Sequence, residues 1–282
     1  MNHRIRLFIV IPILLLLGNV GYSKHITDNS HKYKNKNARE LLTKGEAYCH
    51  KGRWEEGRDM LRYIEDYLPS SPELPLAKLT LADSFFFGPN KSYPEAILEY
   101  TNYLKIFPNS SKKDYVLYHI GLCRYASIGE IECDQTETKN AMEAFKNLLT
   151  EVPSSMYTAD ASAKILICRQ RLAETELRVG IYYIKIFKYE PAEKRLRDLL
   201  DNYYDCVDHK RVYFFLAEAL YKNGKKAGKA SLKSASGLNS KSIDNYLLEA
   251  KSYYKKLTEE YPTSRFAAKA NKRLIKIKCL LI

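Results

Sequence analysis

The sequence predicts an all-α fold, an α-solenoid of about five helical hairpins closed by a capping helix. Three observations predict it. A Pro-x-Ser phrase ends one stretch after another: Pro69-Ser70-Ser71, Pro108-Asn109-Ser110, Pro153-Ser154-Ser155 and Pro262-Thr263-Ser264. An interval of about 40 residues is the period of stacked helix pairs. Each phrase follows an amphipathic run with apolar residues at helical spacing. Gly and Pro are sparse, at 12 and 10 of 282 residues, which leaves little room for long irregular tracts.

The elements follow in order. Residues 1–23 read as a secretory signal: Arg4 and Arg6 precede the apolar run Leu7–Leu17, and Gly21 and Ser23 are small residues before a cut at Lys24. Residues 24–37 are polar, basic and without period, and read as a flexible tether. Residues 38–156 form an N-terminal half of three repeats. In the first, Gly45 and Tyr48 stand on helix A, Gly57, Leu61 and Ile64 on helix B, and Trp54 opens helix B after Lys51-Gly52. This small-large pattern is tetratricopeptide-like, with a small residue wherever two helices cross closely. The second repeat carries Ala96, Tyr100 and Tyr103, and the third Ala141, Phe145 and Leu148, with an insertion from about Ser127 to Thr138.

Residues 157–282 form the C-terminal half. It begins with one long helix, from Thr158 to about Phe187, that bridges the halves. Two repeats follow, marked by Gly180, Ala192 and Leu196 and by Ala250, Tyr254 and Leu257. Residues 222–242 are rich in Lys, Gly and Ser and predict a mobile loop. A basic and apolar helix, Phe266–Leu281, caps the array.

The net charge is +13, and +11 without Arg4 and Arg6. Export removes nucleic acid as a partner and leaves anionic lipid head groups or acidic protein faces. The six cysteines form no C-x-x-C pair. Cys49, Cys123 and Cys168 fall on apolar faces, as buried free thiols do. No catalytic constellation stands out: His3, His25, His31, His50, His119 and His209 are scattered, and no nucleophile, zinc or phosphate-loop motif is present. Asp83 and Asp114 are acids on otherwise apolar faces, but nothing in the sequence brings them together as a catalytic pair. The chain reads as a non-enzyme without cofactor or metal.

A binding groove is the stronger expectation. Concave positions of helices A select Arg39, Leu42 and Glu46, then Lys78, Leu81 and Phe85, then Tyr115, Tyr118, Leu122 and Tyr125. This apolar and aromatic strip with charges at its rim suits an extended peptide with aromatic side chains, whose carboxylate Lys78 or Arg39 would meet.

The string Asp114-Tyr115-Val116-Leu117-Tyr118 with Gly121-Leu122 resembles the BamD (ComL/YfiO) family of outer-membrane assembly lipoproteins. So do Asp134-Gln135, Ala144-Phe145, Pro153-Ser154-Ser155-Met156-Tyr157, Asp160-Ala161, Arg171-Leu172-Ala173 and Tyr182-Tyr183. The resemblance covers about residues 38–206. It implies a non-enzymatic subunit of the β-barrel assembly machinery, in the periplasm at the inner face of the outer membrane. N-terminal repeats would receive unfolded outer-membrane barrel proteins, and C-terminal repeats would dock on a BamA-like POTRA/barrel protein. Arg195 matches a basic position in the docking region. The chain departs from the family in three places. Asn19 stands where the family carries a lipidated Cys, so the resemblance does not carry over a lipid anchor. Leu68 stands before Pro69 where an aromatic would fit the groove better, and the 222–242 insertion has no counterpart. The alternative reading is another periplasmic repeat adaptor, coordinating cell-wall synthesis or cell division.

Overall fold

A computed structural model describes residues 32–233 and 240–281 of the chain. The expected signal segment, Asn19 and residues 24–31 of the expected tether lie outside the described residues. The described residues form eleven helices and no strand: α1 (Ala38–His50), α2 (Trp54–Tyr67), α3 (Leu74–Phe87), α4 (Tyr93–Ile106), α5 (Lys113–Ala126), α6 (Thr136–Glu151), α7 (Thr158–Lys185), α8 (Tyr189–Tyr203), α9 (His209–Lys233), α10 (Ser240–Glu260) and α11 (Arg265–Leu280).

Helices α1–α10 pair in sequence as five hairpins, and each packs on the next. Local chemistry starts and stops them. Asn37 accepts from the Glu40 backbone N–H at 2.8 Å and Ser264 from that of Ala267 at 3.1 Å, satisfying donors that a helix start leaves open. Pro75 and Pro94 stand in the first turns of α3 and α4, where a missing N–H costs nothing. The small residues act as the pattern predicts. A Cβ on Gly57 would lie 2.6 Å from Cys49 Sγ and 2.8 Å from the Gly45 carbonyl, and one on Gly121 would enter the Phe145 ring.

The buried side chains form three clusters: one on α1–α5, one between α5, α6 and the start of α7, and one from the C-terminal half of α7 through α11. Helix α7 has 28 residues, about 42 Å at the α-helical rise, and contributes to two of them. Cys49, Cys123 and Cys168 are buried and unbonded, and burial pushes the Cys123 thiol up to about 12.

Two sequence expectations change. The tether does not run free to residue 37: Tyr33 is 3% exposed, with its ring 5.4 Å from that of Tyr63. One aromatic in a polar stretch has no period to reveal it, yet it covers the open end of the first hairpin. The insertion at 222–242 is not a loop over most of its length. It lengthens α9 to Lys233 and begins α10 at Ser240, with residues 234–239 outside the description. Lys and Ala favour helix, and Gly224 permits the approach: its Cβ would lie 3.2 Å from Leu247 and Tyr246 side chains.

The insertion before α6 is held by side chains. Gln135 Nε2 donates to the carbonyls of Glu130, Ile131 and Cys133 at 2.9–3.2 Å, and its Oε1 accepts from Arg171 Nε at 3.0 Å. Arg171 also donates to the Gly129 carbonyl, and Arg178 pairs with Glu132.

Gly57→Val is expected to cost roughly 2–3 kcal/mol, because the backbone at Gly45 must move as well as the Cys49 thiol. Gly129→Ala, with its nearest neighbour 3.8 Å away, should stay within about 0.5 kcal/mol. Urea unfolding of both variants checks the contrast.

Candidate binding surface

Helices α1, α3 and α5 carry the expected groove, and their residues divide into packed and open sets. On α3, Lys78, Leu81 and Phe85 are turned into the helix packing at 1%, 1% and 7% exposure. The Lys78 ammonium pairs with Glu65, and the Phe85 ring lies under the Arg58 guanidinium at 4.3 Å. None of the three presents a surface to a peptide, and Lys78 is not free to meet a carboxylate. Another side of α3 borders open space, through half-buried Thr80 and Asp83, buried Ser84 and exposed Phe87. With Glu46, Cys49 and His50 of α1 and Trp54 of α2 they line a cleft of about 340 Å³. Phe87 is 55% exposed at its edge. The expected face was rotated, because α3 is apolar nearly all round (Leu74-Pro75-Leu76-Ala77, Leu79, Leu81-Ala82, Phe85-Phe86-Phe87). No stripe marks its inner side.

Helix α5 supplies the aromatic wall. Tyr115, Tyr118, Leu122 and Tyr125 are half-buried. Tyr118 stacks on Tyr157 with ring centroids 4.4 Å apart and donates to Asp160 of α7. Lys164 of α7 sits 5.4 Å above the Tyr125 ring. Between these rings His119 is wedged, its Nδ1 2.9 Å from the Tyr115 carbonyl and its ring 4.0 Å from that of Tyr115. Burial holds its pKa below the ordinary histidine value, so the imidazole is neutral at pH 7. Arg39 is exposed at the start of α1.

Asp83 is the polar centre of this wall. Its Oδ1 accepts from the hydroxyls of Tyr100 and Tyr115, the latter at 3.0 Å. Burial pushes its carboxyl up, against the two hydroxyls that favour the anion. Asp114 is engaged elsewhere: its Oδ2 accepts from Ser155 at 2.9 Å, tying α5 to the turn before α7. The two acids therefore serve separate bonds and form no carboxylate pair. Among the described residues no group of three or more His, Cys, Asp and Glu side chains could hold a metal, and no helix is long and apolar enough to cross a membrane.

On the C-terminal half, Arg195 of α8 lies in a polar cleft of about 370 Å³ with Arg169, Glu176, Asp198, Asn202 and Tyr203. Arg195 Nη1 is 2.6 Å from Glu176 Oε2 of α7, and both side chains keep a third or more of their surface exposed. The sequence gave no sign of this internal partner, which lies 19 residues away on another helix.

Five hairpins, a capped end and an open tyrosine-lined face define a tetratricopeptide-type helical-repeat protein. The family described as YfiO, outer membrane lipoprotein, matches residues 34–234, and the chain belongs to this family. It is similar to proteins named outer membrane protein assembly factor BamD. The one from Rickettsia prowazekii is 26% identical over 74% of this chain and 73% of that protein. The one from Caulobacter vibrioides is 25% identical over 64% of this chain, which spans 58% of that protein's length. Among solved structures it is similar to a TPR repeats protein of Bacteroides fragilis. That match has 13% identity, covers 86% of this chain and 99% of that one, and has a TM-score of 0.43.

The raised carboxyl of Asp83 gives a pH dependence with a definite sign. The native state keeps the proton in the window just above the ordinary value of 3.8, where the unfolded chain releases it. Stability therefore falls as pH rises through that window. Asp83→Asn should flatten this slope and leave stability at neutral pH at or above that of the parent. Asp83→Leu should cost about 1–3 kcal/mol, because two buried hydroxyls lose their acceptor. Urea unfolding between about pH 4 and 7 separates the two, and a slope unchanged in Asp83→Asn would move the effect to Glu99, which burial also pushes up.

Proposed function

We propose that the chain is a non-enzymatic subunit of the machinery that assembles β-barrel proteins into the outer membrane. It works in the periplasm at that membrane's inner face. The observation that carries the reading is the family match over 34–234 with relatives named for this assembly. The geometry supports it in two places.

The first is the face formed by α1, α3 and α5. Its cleft, lined by Phe87, Trp54 and Asp83, the last bonded to Tyr115, suits an unfolded barrel segment. Such a segment is extended, and its aromatic side chains would seat in the cleft. Arg39, exposed in the first turn of α1, would supply a positive charge on this face for a chain-terminal carboxylate. The second is the α7–α8 cleft, where Arg195 would receive an acidic group from a POTRA-bearing barrel protein. Docking there exchanges the Glu176 partner for an external one. An exposed ion pair contributes only about 0–1 kcal/mol, so the exchange is cheap.

Affinity purification of the tagged chain from gently solubilised envelopes tests the whole reading. A POTRA-bearing barrel protein recovered in near-equal amount supports it. A cell-wall or division factor in its place would replace it with the adaptor reading.

Two sets of variants test the sites. Phe87→Asp is expected to weaken binding of barrel-derived aromatic peptides about tenfold with helix content unchanged. Phe85→Asp, which buries a charge, should unfold the N-terminal half instead. Peptide titration with circular dichroism distinguishes them. Arg195→Glu, facing Glu176, should abolish docking on the POTRA domain, while Glu176→Gln should leave docking equal or tighter. Equal affinities for parent and Arg195→Glu in a pull-down with purified POTRA domain would remove Arg195 from the interface.

A further inference from the structure

The turn between α7 and α8 repeats the geometry of the turn between α1 and α2. In the first, the Gly52 N–H donates to the Cys49 carbonyl at 3.0 Å and the Arg53 N–H to that of Tyr48 at 2.8 Å. In the second, Phe187 donates to Ile184 at 3.2 Å and Lys188 to Tyr183 at 2.9 Å. Both turns need a left-handed residue, Gly52 at φ 78° and Phe187 at φ 62°. Glycine meets that need without strain. Phenylalanine does not, and among the described residues Phe187 is the one non-glycine with positive φ.

Among the described residues, no packing of the Phe187 side chain offsets the strain. Phe187 is 70% exposed, and its one ring contact among the described residues is an edge approach to Tyr189 at 6.4 Å. Ile186 and Tyr182 are exposed beside it. Lysines stand on the elements that carry and adjoin this apolar tip. Lys185 and Lys188 flank it, both exposed. Lys222 of α9 places its ammonium 5.5 Å from the Tyr189 ring, which brings the α9 extension alongside, with Lys225 and Lys226 exposed one turn further. The acids nearest in sequence are Glu190, exposed in the first turn of α8, and Glu193, already engaged by Arg197 and Asn223.

The chemistry of the cations selects the occupant. All are lysines, point charges on flexible stems that reach past an apolar body, and no guanidinium fork fixes a geometry. Such lysine-rich surface beside an aromatic and aliphatic tip complements a diffuse anionic layer with an apolar interior. We propose that the α7–α8 turn, with the α9 lysines beside it, is a membrane-surface anchor. Phe187 and its apolar neighbours enter the interfacial region of an anionic bilayer, and the adjoining lysines meet its headgroups. This inference stands whether or not the assembly role holds, since it needs only the turn and its charges.

Sedimentation with vesicles tests it, using the processed chain beginning at Lys24 so that the apolar run 7–17 does not contribute. Binding is expected to equimolar phosphatidylcholine and phosphatidylglycerol, not to phosphatidylcholine alone, and to weaken with added salt. Phe187→Gly keeps the turn and relieves its strain, so its melting temperature should equal or exceed that of the parent. Its vesicle affinity should fall about tenfold, the effect of withdrawing one aromatic side chain from an apolar phase. Lys185→Glu with Lys188→Glu should abolish binding. No binding to anionic vesicles, or equal binding by the parent and Phe187→Gly, would overturn the proposal. So would loss of a soluble protein partner in Phe187→Gly with vesicle binding intact.

Discussion

The architecture depends on helices that cross where at least one of them contributes no bulky side chain. Gly57 faces the Gly45 carbonyl, Gly121 faces the Phe145 ring and Gly180 faces Leu196, each where a Cβ would come within 3 Å. The second and fifth hairpins use the fully buried Ala82 with Ala96 and Ala217 with Ala250 at the equivalent crossings. Tight crossings let the large residues one turn away, Leu61, Tyr100, Phe145, Leu196 and Tyr254, fill the space beside them. A hairpin packed this closely has its apolar faces spoken for by its own partner and the next repeat. Only the outer edge of each helix A remains for a ligand.

A second device recurs with the same spacing. Asp83 follows Ala82 and takes the hydroxyl of Tyr100, four residues after Ala96. Glu218 follows Ala217 and takes the hydroxyl of Tyr254, four residues after Ala250, at 2.7 Å. Each acid also takes a donor from the helix that stacks next: Tyr115 of α5 for Asp83, and Arg273 of α11 for Glu218. The capping helix therefore occupies the place of a helix A in a further repeat, and a charged pair holds it there. A buried acid without these donors would cost several kcal/mol, so the two sites specify the order in which hairpins stack as well as stabilising it.

The proposed groove and the packing draw on the same residues along α3 and α5. Phe85 and Phe87 are two positions apart, yet one lies beneath Arg58 and the other stands at the rim of a cleft. Tyr115 and Tyr118 combine hydroxyls bonded to Asp83 and Asp160 with half-buried rings, which suits them to the proposed groove as well as to packing. Rings held in this way lose little further freedom on binding, which favours recognition by a preformed surface.

The sequence by itself determined the class of fold, the five hairpins, the long bridging helix and the cap. Those follow from a period of about 40 residues and from small residues at fixed offsets, both of which are local. It also carried the family, through the string from Asp114 to Tyr183. Only the tertiary structure decided which side of α3 faces outward, since a helix apolar on every side has no readable stripe. It decided that the Lys-rich insertion extends two helices, because composition does not tell a solvated helix from a loop. Contacts between distant residues, such as Tyr33 with Tyr63, Arg195 with Glu176 and Tyr118 with Asp160, have no period at all. They arise when stacking brings separate helices within reach, and the candidate site is built from contacts of that kind.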